Sequence, residues 1–268
     1  MDLDLRKLRY FAAVAEHQHF GRAAEELYIA QPVLSRQIRS LERELGCDLF
    51  VRTTRSVQLT PAGEALRQEA RGVFATVDSA VRRVHEIDRG VQRIVVGFAS
   101  GLHVSEVVLA FTAKYPEIEV DVLGLNWWEQ DAPLRDGRAD VGYLRGSFDR
   151  TGMHVVPIGF EHRVACLPIT HRLAERESLV LADLDGESVM NALPRRMASL
   201  EEKFEAIASG QGIALVPDTV ARLYPRSDLV YLPILDNEPD ETCLVVATSR
   251  RTDRVLDFLD LATTALRA

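Results

Sequence analysis

Cysteine is scarce in this 268-residue chain: Cys47, Cys166 and Cys243 are widely separated and odd in number. They fit neither a disulfide framework nor a metal-ligand spacing, so a reducing, cytoplasmic setting is expected. No apolar run reaches the roughly 18 residues that span a membrane. The opening Asp2-Leu3-Asp4-Leu5-Arg6 lacks the apolar core of a signal peptide. No membrane partner is therefore expected. The seven histidines form no metal-binding pair, and no phosphate-binding glycine loop is present. Gly97-Phe98-Ala99-Ser100-Gly101 carries the ingredients of a nucleophile elbow, but its serine is not central between the glycines. The expectation is a protein with no catalytic residue, no metal and no cofactor.

What is there is an ordinary globular composition, 47% hydrophobic and 27% charged, at a length that suggests about two domains. The net charge of −8 is unevenly spread. Residues 1–90 hold 14 Lys+Arg against 13 Asp+Glu, a net of +1, and the remainder carries −9. Binding to DNA needs a local basic face, not a basic whole.

The first ninety residues are helical by period. Leu5, Leu8, Phe11, Ala12 and Ala15 mark one helix face, and Phe20, Ala23, Ala24 and Leu27 a second, with Gly21 the expected N-cap. A third helix covers 31–45 and is closed by Gly46. Residues 49–52 and 57–59 read as short strands around Thr53-Thr54-Arg55-Ser56, and Thr60-Pro61 as a helix start. In the third helix Leu34, Ile38, Leu41 and Leu45 fall within about 60° of arc. Pro32, Ser35, Arg36, Arg39 and Arg43 gather opposite. Such a face suits a recognition helix, although a solvated charged face has the same pattern. The following helix repeats Leu66, Ala70, Val73, Val77, Ala80, Val84 and Ile87 at alternating spacings of four and three, the period of a coiled-coil seam. Pairing with a second copy is the reading favoured over packing on its own domain.

From Ile94 the pattern changes to strands at 94–98, 118–123 and 140–144 with helices at 104–114 and 128–136 between them, which implies parallel βαβ units. Further strands are expected at 153–158, 162–167, 187–191, 213–216, 228–233 and 243–248, and helices at 199–209, 218–223 and 252–266.

With two helices before it and a hairpin bearing Arg52 and Arg55 after it, the third helix sits in the setting of a winged helix-turn-helix. Phe11, Phe20, Ala23-Ala24, Leu27, Gln31-Pro32, Leu34-Ser35, Ile38, Leu41-Glu42, Leu45-Gly46, Leu49-Phe50, Arg52, Leu59-Thr60-Pro61 and Gly63 make residues 5–90 resemble the DNA-binding domain and linker helix of LysR-type transcriptional regulators. Ile29-Ala30-Gln31-Pro32 and Leu34-Ser35-Arg36-Gln37-Ile38 are similar to members that control aromatic-compound catabolism. The resemblance implies that Gln31, Pro32, Ser35 and Arg36 face the major groove, while Arg39, Arg52 and Thr53 touch the backbone or minor groove. The family often has Ser or Thr where this chain has Ala30 and Gly21. A lost cap costs about 1 kcal/mol.

The remainder resembles the family's effector domain through Ile94-Val95-Val96-Gly97, Tyr115-Pro116, Asp136-Gly137, Asp140-Val141-Gly142, Arg145 and Gly212-Ile213-Ala214-Leu215-Val216-Pro217. The stretch between Gly186-Glu187 and Gly210-Gln211-Gly212 is shorter than the family's, so Asn191, Pro194 and Arg195 stand where part of a pocket wall is usual. The implied fold is α+β and multidomain. A winged helix-turn-helix (1–60) leads through a coiled-coil linker helix (61–89) to a two-lobed α/β domain like periplasmic binding proteins (90–268), its second lobe shortened. Ser100 and Gly101 are expected to receive an effector carboxylate, Trp127 at the start of the second helix to offer a flat wall, and Arg145 to pair an anion. Plainer roles are open for each: a helix cap for Ser100, core or interface for Trp127 and Trp128, a structural ion pair for Arg145. The expected partners are double-stranded operator DNA, an unidentified small-molecule effector, and further copies of the chain in a homodimer through the linker and a homotetramer. The alternative is a DNA-binding regulator whose trimmed domain serves assembly alone.

Overall fold

A computed structural model describes residues 3–52, 57–128, 130–190 and 199–267, and Thr53, Asn191, Pro194 and Arg195 lie outside them. The chain forms two compact units that divide inside one long helix, between Val81 and Arg82.

In the first unit, α1 (Leu5–His17), α2 (Phe20–Glu26) and α3 (Gln31–Leu45) precede an antiparallel wing of β1 (Phe50–Arg52) and β2 (Val57–Leu59), and α4 (Pro61–Arg89) follows. The helix starts have local causes. Asp4 accepts the Arg6 N–H at 2.7 Å ahead of α1. The cap of α2 is His19, not Gly21 as the sequence suggested: its Nδ1 accepts the N–H groups of Gly21 and Arg22 at 3.1 and 3.2 Å. An imidazole nitrogen without a proton is a competent acceptor, although histidine is not among the residues that announce a cap. Helix α3 starts at Ala30 without a side-chain cap and stops at Gly46, whose φ of 71° is left-handed. Thr60 Oγ1 accepts the Gly63 N–H at 2.9 Å and opens α4.

Leu8, Phe11, Val14, Leu34, Ile38 and Leu41 form the fully buried centre of this unit. The wing is fastened to it twice. Phe50 meets Phe11 and Phe20 at ring-centroid distances of 5.3 and 6.0 Å. The buried Glu42 carboxylate accepts the Leu49 and Phe50 N–H groups at 3.1 and 3.3 Å. The seam of α4 divides in two. Leu66 and Ala70 pack into the unit's own core, whereas Val73, Val84 and Ile87 are exposed, Ile87 by 81%. Among the described residues, the exposed part of the apolar stripe therefore begins near Val73.

The second unit has two lobes. Its elements run β3 (Gln92–Ala99), α5 (Ser105–Lys114), β4 (Ile118–Leu125), α6 (Ala132–Asp136), β5 (Val141–Arg145), β6 (Met153–Glu161), β7 (Arg163–Pro168), α7 (Leu200–Ala208), β8 (Ala214–Pro217), α8 (Asp218–Leu223), β9 (Leu229–Pro233), β10 (Asp240–Ala247) and α9 (Asp253–Arg267). The first lobe is a five-stranded sheet in the order β4-β3-β5-β10-β6. The expected parallel pairing holds for β3 with β4 and β5, and β10 returns antiparallel between β5 and β6. Helices α5 and α9 cover this sheet through Phe111 and Phe258, 5.1 Å apart. The second lobe is the antiparallel sheet β8-β7-β9 with α7 and α8. The chain passes between lobes at 161–163 and again between β9 and β10.

Two expected elements are smaller than the sequence implied. The helix anticipated at 128–136 is only Ala132–Asp136, because Pro133 can open a helix but cannot sit inside one. Trp127 consequently stands in a turn before it. The strand anticipated at 187–191 is a single bridge from Val189 to Ile213 among the described residues.

Candidate functional site

The first candidate site is the outward face of α3. The stripe of Leu34, Ile38 and Leu41 has no solvent exposure, which fixes the helix on α1 and α2 and leaves its opposite side open. Gln31, Pro32, Arg36, Arg39 and Arg43 are exposed and Ser35 is half-buried beside them. Arg43 Nε donates to the Arg39 carbonyl at 3.3 Å, which leans that side chain back along the helix. Arg52 follows in the wing, and Thr53 is not described. The surface is thus a helix N-terminus flanked by guanidinium groups, the donors that pair guanine edges and phosphates.

The second site is a cavity of about 290 Å³ between the lobes, lined by Ser100, Trp127, Gln130, Arg145, Arg163, Lys203 and the apolar side chains of Leu200, Leu215, Val216 and Val220. Three of the four residues expected there line it. The fourth, Gly101, has a φ of 86° and packs against the other lobe, leaving no room for a Cβ beside Thr219 and Val220. Ser100 does not open α5, which begins five residues later at Ser105, behind Val104. Its carbonyl instead accepts Arg145 Nη1.

Arg145 is held by protein on every side. Its Nε and Nη2 reach Glu161 at 2.8 and 2.7 Å, and Nη2 also reaches Thr219 Oγ1 at 3.2 Å. Gln130 brackets its backbone, donating to the Arg145 carbonyl at 3.1 Å and accepting its N–H at 3.2 Å. Glu161 accepts the Thr219 N–H as well, at 2.9 Å. This buried cluster joins β5 of one lobe to α8 of the other. Burial pulls the Arg145 guanidinium below its usual value, with Glu161 opposing. At the other passage between lobes, Arg163 pairs with Asp240 at 2.6 Å.

Sequence reasoning missed Lys203. It is 6% exposed, and its Nζ lies 4.9 Å from the centre of the Trp127 ring in the opposite lobe. Trp128 meets Trp127 edge-on at 5.3 Å. Burial pushes the Lys203 ammonium down to about 8 from an ordinary value of 10.5, and the nearby Arg163 charge adds to the effect. The signal was available: Lys203 shares a helix face with Leu200, Ala206 and Ile207 at spacings of three and four. A lysine whose folded value is depressed weighs on stability below about 8, and that weight fades as pH rises toward the unfolded value. The two buried thiols of the second unit are poor nucleophiles: burial pushes Cys166 up to about 12 and Cys243 up to about 11.

Residues 5–64 match the model of the bacterial regulatory helix-turn-helix protein, lysR family, and residues 85–194 match the LysR substrate binding domain. The chain is 38% identical over 192 residues to the uncharacterized HTH-type transcriptional regulator YnfL of Escherichia coli strain K12. That match covers 70% of this chain and 65% of the relative, just under two thirds. It is 30% identical over 263 residues to the HTH-type transcriptional regulator BenM of Acinetobacter baylyi, covering 87% of this chain and 86% of BenM. The crystal structure of CbnR, a LysR family transcriptional regulator, matches with a TM-score of 0.63 at 21% identity, over 99% of this chain and 100% of that one, a likeness of fold. No described helix is long and apolar enough to cross a membrane. With both domain models matched in order and a relative aligned along most of its length, the chain belongs to the LysR family of transcriptional regulators.

Proposed function

We propose that this regulator reads a DNA half-site through Gln31, Pro32, Ser35 and Arg36 in the major groove, while Arg39, Arg52 and Thr53 hold the backbone or minor groove. The observation that carries the reading is the two-sidedness of α3. One face is sealed into the core, and the other presents arginines beside an open N-terminus. The protein acts as a cytoplasmic, non-catalytic regulator, a role supported by relatives named as transcriptional regulators. Copies pair through the exposed stripe of α4, and pairs assemble further into a tetramer. Arg36→Ala is expected to lose about 1–3 kcal/mol on the preferred duplex and little on random DNA. Arg39→Ala or Arg52→Ala weakens both alike. Gel-shift titrations on the two duplexes check this, and equal losses from Arg36→Ala refute its assignment to base reading.

The second unit receives a small carboxylate effector in the cavity between its lobes, where Ser100 and Trp127 stand. Binding shifts the balance between arrangements of the assembly only if the effector favours one of them. One observation favours the rival reading, a domain that serves assembly alone: Arg145 has its anion already, in Glu161. A thermal-shift screen with small carboxylates separates the two. A sensor shows saturable stabilisation that Ser100→Ala or Trp127→Ala reduces.

A further inference from the structure

We propose that Tyr28, in the turn between α2 and α3, is a DNA-backbone contact, its hydroxyl donating to a phosphate at the edge of the groove that α3 enters. This rests on the reading of α3 as the DNA-reading helix and extends it to a residue outside that helix. Helix α2 ends in a Schellman motif. The Ile29 N–H donates to the Ala24 carbonyl at 3.0 Å, and the Tyr28 N–H to the Glu25 carbonyl at 3.1 Å. The motif holds Tyr28 in the left-handed region, with a φ of 53°. Glycine adopts that conformation without steric cost, and Gly46 and Gly137 do so behind α3 and α6. An L-residue with a side chain is strained there, because its Cβ crowds the following carbonyl. Among the described residues only Gln18, behind α1, is a second non-glycine so placed.

Packing does not offset the strain. Tyr28 is 95% exposed, more than any other large apolar side chain among the described residues. Its neighbour Ile29 is the opposite: it packs with Leu34 against the core of the first unit, which fixes how the chain enters α3. The backbone at Tyr28 is therefore held firmly while its ring is held out in water. Such a ring weighs on folding twice, through backbone strain and through unburied apolar surface, so its use lies outside the chain. The place says what meets it. Tyr28 stands three residues before Gln31, beside the N-terminal end of α3 that no side chain caps. A duplex that brings base edges to Gln31 and Arg36 runs its sugar-phosphate wall past the turn leading into the helix. A phenol suits that wall, with an O–H for a phosphate oxygen and a flat apolar body for the deoxyribose. It carries no charge, displaces no counterion, and so adds affinity that salt does not remove.

The test titrates the full chain onto a duplex selected from a random library and onto a random duplex, over a range of salt. Tyr28→Phe keeps the ring and the backbone and removes only the donor. It is expected to weaken both duplexes by about tenfold, with the salt slope unchanged. Arg39→Ala, by contrast, lowers that slope by about one. Tyr28→Gly weakens binding at least as much, yet raises the midpoint of the circular-dichroism melt by about 4–8 °C, because the left-handed strain is relieved. Affinity and stability thus move in opposite directions, which a merely structural role would not produce. Ethylation of single phosphates should mark one per half-site whose modification hinders the wild type and makes no difference to Tyr28→Phe. Wild-type affinity in Tyr28→Phe, a lowered melt in Tyr28→Gly, or lost binding that sedimentation traces to lost pairing overturns this inference. The reading of α3 then stands if Arg36→Ala still loses its preference for the selected duplex. If neither Tyr28→Phe nor Arg36→Ala changes binding, both readings fall.

Discussion

Val84→Asp is expected to lower affinity for a two-half-site operator by about a hundred- to ten-thousand-fold while leaving each DNA-reading unit folded. One recognition helix covers a few base pairs, and a second copy in register turns the second contact into an intramolecular event. That second copy is expected on the exposed stripe of α4. Leu66 and Ala70 are already used by the core of the first unit. Val73, Val84 and Ile87 continue the same helical stripe and meet water in the single chain. Val84 is 66% exposed, so its replacement removes little internal packing. In the dimer a carboxylate there faces another carboxylate inside an apolar seam, which neither can tolerate without neutralising. Sedimentation should find a monomer, circular dichroism should find the same helix content, and gel-shift titration should find weak binding close to that on random DNA. A variant that stays dimeric and binds tightly would show that α4 is not the pairing element.

The other large effect concerns stability. Glu161→Ala is expected to cost about 3–5 kcal/mol, because it strands the buried Arg145 guanidinium. It also removes the acceptor of the Thr219 N–H, and with it a tie between the lobes. The double change Arg145→Met with Glu161→Leu should recover most of that loss, since apolar groups of similar volume replace a buried pair at little net cost. Urea unfolding of the wild type, the single variant and the double variant makes the comparison. If the double variant is as unstable as Glu161→Ala, the loss arises from packing and not from a stranded charge.

The parts of this molecule that were legible in the sequence are those governed by local rules. The apolar period of α3, the missing cap at Ala30, the stop at Gly46 and the Thr60-Pro61 start each follow from one or two residues, and each is present. What escaped depends on partners far along the chain. His19 became a cap only because its ring folds back on Gly21 and Arg22. Glu42 reads as one more surface charge, yet it anchors the wing because the chain entering β1 brings the Leu49 and Phe50 N–H groups to it. Arg145 was open to either a ligand or a structural ion pair, and it is β6, delivering Glu161 beside it, that supplies the ion pair. Lys203 lay hidden among the glutamates of α7, although its position on the apolar face was a usable clue. The antiparallel insertion of β10 between β5 and β6 is set by the return of the chain from the second lobe, which no local pattern encodes.

The central claim is that this chain reads DNA as a pair, with α3 as the reading element and the exposed stripe of α4 as the coupling. Selection of duplexes from a random library by the full-length protein tests it most directly. The expected outcome is enrichment of inverted half-sites separated by about one helical turn of DNA or a whole multiple of it. The same selection with Val84→Asp should yield no such spacing, and with Arg36→Ala it should blur the bases within each half-site. Recovery of isolated half-sites by the wild type, or of an identical paired motif by Val84→Asp, would contradict it.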